Sequence, residues 1–234
     1  VPLDLLVMSE PVLSDRLAVV RATIAERQRV GGWSHPVEVI AVTKGHGPEA
    51  VRTAAAAGLR TVGENRVQEA LTKQGASADL GIAWHLIGTL QSNKVRHVIG
   101  RFAMIESVDR VDLARELDRR IGDGPVQPVL VQVNCSREPQ KGGVDVDQLE
   151  AVLAEIAALP HLQVRGLMTM AMLTEDEREQ RRAFALLRSS RDAHRANHAG
   201  LTELSMGMSS DYPAAVEEGA TMVRLGTVLF GSRD

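Results

Sequence analysis

VEVIAVTKGHGPEAVRTAAAA, residues 37–57, is the stretch that decides the fold. It begins with a run of apolar and β-branched residues of the kind that forms a buried strand. A glycine-rich turn follows, and Pro48 then introduces an alanine-rich segment, which predicts a helix beginning at that proline. Strand, turn and helix therefore succeed one another within this one stretch.

The same order of strand, turn and helix recurs along the rest of the chain. Strands are predicted over residues 37–43, 59–63, 84–88, 102–107, 129–134, 164–168, 201–206 and 221–225. Helices are predicted over residues 48–57, from 65 onward, and over 91–99, 109–121, 145–159, 175–198 and 210–218, with a short closing segment at 228–230. One further helix, residues 11–30, precedes the first strand and stops at Gly31 and Gly32.

Eight such units predict a closed barrel. Strand–helix repeats require a parallel sheet with helical crossovers, and eight of them are typical of the α/β class (β/α)8 TIM barrel, here with an extra N-terminal helix. The 234 residues fall a little below the length of about 250 that is usual for this fold. The alternative is an open, doubly wound sheet, but no G-x-G-x-x-G follows the first strand. No linker divides the sequence, so we expect a single domain over residues 1–234.

Composition excludes several classes of protein. With 44% hydrophobic and 24% charged residues, the chain has the make-up of a globular protein. A net charge of −3 and an aromatic content of 3% argue against nucleic-acid binding, which uses basic surfaces and stacking side chains. No apolar run reaches the ~18 residues of a membrane helix, and the single cysteine, Cys135, cannot form an internal disulfide. We therefore expect a cytoplasmic protein with no membrane or nucleic-acid partner and, since no apolar seam is evident, a monomer.

Lys44 directly follows the first predicted strand. In a barrel of parallel strands the chemistry lies at the carboxyl ends of the strands, so the Lys44 side chain would lie in the barrel mouth. A mouth shielded from water favours the free amine, which an imine-forming lysine requires. The alternative is a structural lysine whose amine reaches solvent at the rim.

Two loops near the end of the sequence predict a phosphate site. Residues 209–213, SSDYP, look like the start of a helix, with Ser210 or Asp211 as the N-cap and the proline in the first turn. Gly226 and Thr227 follow the eighth strand and offer backbone N–H groups and a hydroxyl. Barrels often bind phosphate with the loops after strands 7 and 8. Taken singly, each motif is also explained by ordinary capping and turn chemistry.

Arg224 alternates with apolar neighbours in the eighth strand, so we expect its side chain to point into the barrel. A buried guanidinium needs an acceptor, and the sequence leaves two candidates, an internal carboxylate or an unprotonated pyridine nitrogen. His85 lies in an apolar strand and is interpreted as a hydrogen-bonded core histidine. His194 and His198 lie four positions apart, but their arginine-rich helix predicts a solvated face and no metal site. Cys135 is interpreted as a packing residue.

Four motifs carry a resemblance to a known family. They are VIAVTK at residues 39–44, GENRVQE at 63–69, WHLIGTLQSNK at 84–94 and LSMGMSSDYPAAVEEGATMVRLGTVLFG at 204–231. Together they closely resemble the pyridoxal phosphate homeostasis proteins, formerly called proline synthase co-transcribed proteins. The sequence departs from the commonest pattern at GHGP, residues 45–48, and at Arg66, where many relatives carry tyrosine.

The resemblance implies a barrel similar to the N-terminal domain of alanine racemase, with pyridoxal 5′-phosphate as cofactor. It implies cofactor-binding roles for six residues, which are Lys44, Asn65, Ser209, Arg224, Gly226 and Thr227. Lys44 would carry the cofactor as an imine, the residues after strands 7 and 8 would hold the phosphate, and Arg224 would face the pyridine nitrogen. An arginine there leaves that nitrogen unprotonated and weakens the ring as an electron sink.

The function that the resemblance implies is non-catalytic. Such a protein carries and buffers pyridoxal phosphate for apo-enzymes and maintains intracellular vitamin B6 and, indirectly, amino-acid homeostasis. The length agrees, because few residues remain for a second domain that could supply a second catalytic base. The alternative is a one-domain amino-acid racemase-like enzyme that uses the same cofactor. A third hypothesis is a phosphosugar-type barrel enzyme, which would bind phosphate in the same loops but ignore pyridoxal phosphate.

Overall fold

The sheet is a closed barrel of eight parallel strands. The computed structural model describes residues 12–136, 142–170, 174 and 176–231. The strands are β1 (Glu38–Val42), β2 (Thr61–Glu64), β3 (Ala83–Leu86), β4 (Met104–Val108), β5 (Gln127–Gln132), β6 (Leu162–Met168), β7 (Glu203–Met208) and β8 (Met222–Leu225). They follow one another around the barrel in chain order, and β8 pairs in parallel with β1 to close it. The predicted (β/α)8 barrel is confirmed.

Eight α-helices surround the barrel in the described residues. They are α1 (Leu13–Gly31), α2 (Pro48–Ala56), α3 (Val67–Ala76), α4 (Val111–Ile121), α5 (Leu149–Ala157), α6 (Glu177–His194), α7 (Tyr212–Glu217) and α8 (Thr227–Phe230). The extra N-terminal helix is confirmed as α1, which ends where Gly32 adopts a left-handed conformation with φ 75°. The predicted first residues of α1 and α6, Pro11 and Glu175, lie outside the described residues.

The connection between β3 and β4 differs from the prediction. In place of an α-helix over residues 91–99, the chain forms a 3₁₀-helix over Ser92–His97. Its sequence, SNKVRH, combines a serine, an asparagine and a β-branched valine, all of which have modest helix propensity. The buried side chains Val95 and Val98 fasten this short segment to the core.

β1 alternates between two apolar layers. Val39 and Ala41 pack into the layer between strands and helices, whereas Ile40 lies in a smaller cluster inside the barrel. That inner cluster is built from side chains of five strands, Ile40, Met104, Leu130, Met168 and Met222. Continued past the end of β1, the alternation turns Thr43 toward the helices and Lys44 toward the interior of the barrel.

Two glutamates at the end of α7 hold this helix against α1 and α6. Glu217 forms an ion pair with Arg27 of α1 at 2.8 Å, and Glu218 forms one with Arg188 of α6, also at 2.8 Å. Arg181 of α6 contacts both glutamates. Because α7 follows the loop after β7, these pairs also fix the position of that loop. No helix in the described residues combines the length and apolarity that crossing a bilayer would require.

Two glycine substitutions test the packing of the barrel. A Cβ at Gly166 in β6 would lie 2.1 Å from the backbone oxygen of Glu203 in β7, so Gly166→Ala must push two paired strands apart. We expect it to lower the free energy of unfolding by about 2 kcal/mol. Gly75→Ala, in α3 with open space around its Cβ, should raise it by about 0.5–1 kcal/mol. Urea unfolding measures both, and an unchanged midpoint for Gly166→Ala would contradict the packing of β6 against β7.

Candidate functional site

A cavity of about 570 Å³ opens at the carboxyl ends of the strands. This volume is in the range of small-molecule sites. All six residues singled out in the sequence line it, namely Lys44, Asn65, Ser209, Arg224, Gly226 and Thr227. The cavity is also lined by Ser210, from the predicted phosphate loop, and by five residues that the sequence did not single out, which are Val42, Ile87, Met170, Met208 and Val228. Basic and polar groups therefore share one cavity with an apolar wall.

Lys44 projects into this cavity from the end of β1, together with Val42. The alternation of β1 gives both side chains the same direction. Lys44 is partly buried, and within the residues that the structure describes its amine makes no hydrogen bond or ion pair. The structure thus offers an amine that no neighbouring side chain occupies.

Asn65 follows β2 and also lacks a partner for one of its polar atoms. Its side-chain oxygen Oδ1 is buried and accepts no hydrogen bond from the described residues. The main chain of Asn65 lies tightly against Gly88, where a Cβ would approach the Asn65 carbonyl oxygen to 2.4 Å. A buried acceptor without a donor is costly, so a ligand with a donor or a bound water would satisfy it.

Ser209 joins the loops that follow β7 and β8. Its hydroxyl oxygen accepts hydrogen bonds from the backbone N–H groups of Gly226 and Val228, both at 3.2 Å. Gly226 lies close to β1, since a Cβ there would be 3.3 Å from the Val42 carbonyl oxygen. With the exposed Thr227 beside them, these groups form a polar edge of hydroxyl and N–H groups, in which the N–H groups of Gly226 and Val228 are bound to Ser209. Donors of this kind suit an anionic group.

The turn from β7 into α7 decides between the two predicted N-cap residues. Asp211 is the N-cap residue, and the proline lies in the first turn. The Asp211 carboxylate accepts a hydrogen bond from the Met208 N–H at 2.5 Å and does not cap the helix. The backbone reaches this turn through Gly207 at φ 92°, where a Cβ would meet Ala215 at 2.6 Å. The turn is therefore tied back to its own strand.

Arg224 is almost completely buried and forms the floor of the cavity. Its guanidinium donates to the Ser205 hydroxyl at 2.7 Å and to the Thr169 carbonyl oxygen at 2.8 Å. Burial lowers the pKa of Arg224, partly offset by the charges of Glu106 and Asp211. The groups that accept directly from Arg224 are thus neutral. The internal carboxylate that the sequence offered as one candidate acceptor is linked to Arg224 through the Ser205 hydroxyl.

Glu106 is that carboxylate, and it lies at the centre of the barrel. The Ser205 hydroxyl donates to Glu106 Oε2 at 2.5 Å, and His85 Nδ1 lies 2.7 Å from Oε1. Burial alone would raise the pKa of Glu106, but the hydrogen bond from His85 and the charges of His85 and Arg224 hold it below its usual value. Since β4 and β7 are not neighbours in the sheet, this chain of contacts crosses the barrel interior. The interpretation of His85 as a hydrogen-bonded core histidine is confirmed.

A buried ion cluster that the sequence did not predict lies behind the end of β1. The Lys73 ammonium, on α3, donates to Glu64 Oε1 at 2.6 Å, to Glu69 Oε1 at 2.8 Å and to the Thr43 carbonyl oxygen at 2.7 Å. The Thr43 hydroxyl also donates to Glu64. Lys73 is 2% exposed and Glu64 is fully buried. The one sequence signal was the four-residue spacing of Glu69 and Lys73 on a predicted helix.

The two carboxylates of this cluster differ electrostatically. Burial raises the pKa of Glu64 in spite of its hydrogen bonds with Lys73 and Thr43, and its Oε2 has no partner in the described residues. For Glu69, the effect of burial is outweighed by hydrogen bonds from Lys73 and from the Gly45 N–H, which hold its pKa below the usual value. The surroundings of Glu69 therefore favour its ionised form, whereas burial disfavours that form in Glu64.

The other residues weighed in the sequence lie away from the cavity. His194 contacts the Ser190 carbonyl oxygen at 2.6 Å and Glu150 at 3.1 Å, and the described residues contain no cluster suited to a metal ion. Cys135 is buried, which raises the pKa of its thiol to about 11. The ring of His46, in the segment that departs from the family pattern, packs on Phe230 with centroids 5.3 Å apart.

Removing Glu106 should destabilise the protein strongly, because it takes away the larger of the two negative charges that offset the burial of Arg224 and leaves His85 and Ser205 without their carboxylate partner. We expect Glu106→Ala to lower the free energy of unfolding by about 3–5 kcal/mol. Glu155→Ala, which breaks the exposed pair with Arg115, is the control and should change it by less than about 1 kcal/mol. Urea unfolding of both variants measures the difference. Equal losses would show that Glu106 does not balance Arg224.

Comparison with known proteins places the whole barrel in a family. The model of the alanine racemase N-terminal domain matches residues 18–234. The chain is 42% identical over 208 residues to the pyridoxal phosphate homeostasis protein of Aquifex aeolicus, covering 88% of this chain and 91% of that protein. It is 43% identical over 224 residues to the protein of the same name from Pseudomonas aeruginosa, covering 95% and 96%.

Solved structures agree with this placement. PipY of Synechococcus elongatus with pyridoxal phosphate (PLP) bound has 43% identity and a TM-score of 0.83, covering 94% of this chain and all (100%) of PipY. Alanine racemase from Corynebacterium glutamicum has 19% identity and a TM-score of 0.69, covering 94% of this chain and 62% of the racemase. The latter similarity concerns the fold alone. By sequence and by fold, this chain belongs to the pyridoxal phosphate homeostasis protein family, whose barrel is that of the alanine racemase N-terminal domain.

Proposed function

We propose that this chain binds pyridoxal 5′-phosphate in the cavity and carries it, buffering the cofactor and maintaining intracellular vitamin B6 homeostasis. The observation that carries the proposal is the Lys44 amine, which has no partner among the described residues and shares one cavity with the polar edge around Ser209. Pyridoxal phosphate supplies an aldehyde for the amine and a phosphate for the donors. A C=N bond to Lys44 Nζ would form, and the aldehyde oxygen would leave as water. The bound cofactor in PipY supports the proposal.

Each of the other lining residues predicted from the sequence has a role in this proposal. Ser209 and Thr227 would bind the phosphate through their hydroxyls, and the Gly226 N–H would do so by exchanging its bond to Ser209 for one to the phosphate. Asn65, whose buried Oδ1 has no donor among the described residues, would form hydrogen bonds with the polar groups on the ring. Arg224 would face the pyridine nitrogen and donate to it, which keeps that nitrogen unprotonated.

The described lining of the cavity favours carrying over catalysis. Racemisation requires a base on one face of the substrate carbon and an acid on the other. Among the described lining residues, Lys44 and Arg224 are the ionisable ones, and Arg224 stays protonated. We therefore propose a non-catalytic, single-domain cytoplasmic protein that acts as a monomer and delivers the cofactor to apo-enzymes.

Borohydride reduction tests cofactor binding directly. The protein is incubated with pyridoxal phosphate, reduced and digested, and the labelled peptide is identified by mass spectrometry. We expect the label on Lys44 and a visible absorbance that Lys44→Ala abolishes. Lys94→Ala, in the 3₁₀-helix outside the cavity, is the control and should retain both. An unlabelled Lys44, or a label confined to Lys141 outside the described residues, would refute the proposal.

The racemase-like alternative rests on the similarity in fold to alanine racemase and predicts a different result. An enzyme would exchange the α-hydrogen of alanine or serine with solvent deuterium, and Lys44→Ala would abolish that exchange. We expect no exchange over a broad panel of amino acids when the loaded protein is followed by NMR. Exchange that depends on Lys44 would replace the carrier function with catalysis.

A further inference from the structure

Both peptide groups that flank Lys44 are bound by side chains of α3. The Thr43 carbonyl oxygen belongs to the peptide group before Lys44, and it accepts from Lys73 Nζ at 2.7 Å. The Gly45 N–H belongs to the peptide group after Lys44, and it donates to Glu69 Oε1 at 2.7 Å. Lys73 and Glu69 bind each other at 2.8 Å. We call this pair of side chains, Glu69 and Lys73, the α3 clamp.

We propose that the α3 clamp is a positioning device that holds the Lys44 amine in the cavity in the orientation needed to receive pyridoxal phosphate. Its effect on the cofactor rests on the function proposed above. Glu69 and Lys73 do not line the cavity. They act through the main chain of Lys44, because they bind its two adjoining peptide groups, the first of which also accepts a turn hydrogen bond from the His46 N–H at 3.0 Å.

Regular sheet pairing cannot hold Lys44 by itself. The pairing of β1 with β2 extends to Val42 opposite Gly63, and that of β1 with β8 extends to Ala41 opposite Leu225. Beyond this point the chain bends through Gly45 at φ 76°, a left-handed conformation in which an L side chain is strained. The α3 clamp therefore acts where the hydrogen-bond ladder has ended and the backbone turns away.

Stability alone does not explain an ion pair at this place. Buried ion pairs are often no more stable than apolar side chains of the same volume, because both charges lose their hydration. Apolar side chains, however, could not bind a carbonyl oxygen and an N–H group at once. The Lys73 ammonium has three donors, and they are directed at Thr43, Glu64 and Glu69. Because all three N–H donors of Lys73 are hydrogen-bonded, the segment that carries Lys44 has little conformational freedom.

Holding the amine in place strengthens covalent capture. An amine that is already oriented loses less conformational freedom when the C=N bond forms than an amine on a mobile loop. The α3 clamp should thus raise the affinity for pyridoxal phosphate and limit the access of unrelated reagents to Lys44. These two consequences can be measured separately, one with the cofactor and one without it.

Four variants test the α3 clamp. Glu69→Ala removes both of its contacts, Glu69→Gln retains an acceptor for the Gly45 N–H without the charge, and Lys73→Met removes the ammonium. Glu49→Ala is the matched control. The Glu49 carboxylate, on α2, accepts from the Gly47 N–H at 3.0 Å in the same loop but binds neither peptide group of Lys44.

The first measurement uses the cofactor-free protein. Reductive methylation with formaldehyde and cyanoborohydride, followed by peptide mass spectrometry over a range of pH, gives the reaction rate of Lys44 itself. We expect Lys44 to react several-fold faster in Glu69→Ala and Lys73→Met, because the released segment exposes the amine. Glu49→Ala should react at the wild-type rate. A wild-type rate in Glu69→Ala would refute the α3 clamp whether or not the protein binds pyridoxal phosphate.

The second measurement is titration with pyridoxal phosphate, read from the visible absorbance and its pH profile. Glu69→Ala should bind about tenfold more weakly, because the freed segment must be ordered again when the C=N bond forms, and Glu69→Gln should lose less. Unchanged affinity and pH profile in folded Glu69→Ala would overturn the inference. If Lys73→Met does not fold, the affinities of the two Glu69 variants test the clamp, because Glu69 is partly exposed and its replacement is less disruptive. If wild-type protein takes up no cofactor, the proposed function fails while the methylation rates still test the clamp.

Discussion

The parallel direction of all eight strands is the constraint on which the site depends. Because the strands point the same way, each of their carboxyl ends opens onto one rim of the barrel. Alternation along each strand then decides which side chains enter the interior. Lys44 and Arg224, almost at opposite ends of the sequence, meet in one cavity for this reason. The polar interior around Glu106 supports that cavity from below with a path of hydrogen bonds across the barrel.

The parts of the fold and site that could be predicted are those encoded locally. Eight repeats of one pattern define the barrel, and the position of Lys44 after a strand predicted a place in the mouth, although a lysine at the rim remained the alternative until the cavity was seen. Strand ends shifted by a few residues, since pairing with neighbours sets them: β7 extends to Met208 because Met208 pairs with Arg224. The segment Ser92–His97 was predicted as an α-helix but forms a 3₁₀-helix. Its helix propensity is weak, so the packing of a few buried side chains determines its conformation.

The unpredicted contacts join residues that are distant in sequence. Glu106 receives the Ser205 hydroxyl from 99 positions away, and Lys73 reaches the Thr43 carbonyl from 30 positions away. A charged residue within an apolar strand indicates that a hydrogen-bond or ion-pair partner must exist, but the sequence does not show which residue that partner is. Only the closed barrel brings the strand of Glu106 and the strand of Ser205 across from each other. Supporting residues are therefore harder to predict than the residues they support.

The pairing of β1 with β8 also has a consequence for how the protein folds. This pairing joins Ala41 to Leu225 and so closes the longest loop within the sheet, a step with a large entropic cost. The candidate site lies across that seam, with Lys44 on one side and Gly226 on the other. A ligand that contacts both β1 and the loop after β8 binds only when these strands are paired, so it stabilises the closed barrel by mass action. Cofactor supply in the cell would then govern how often the barrel opens.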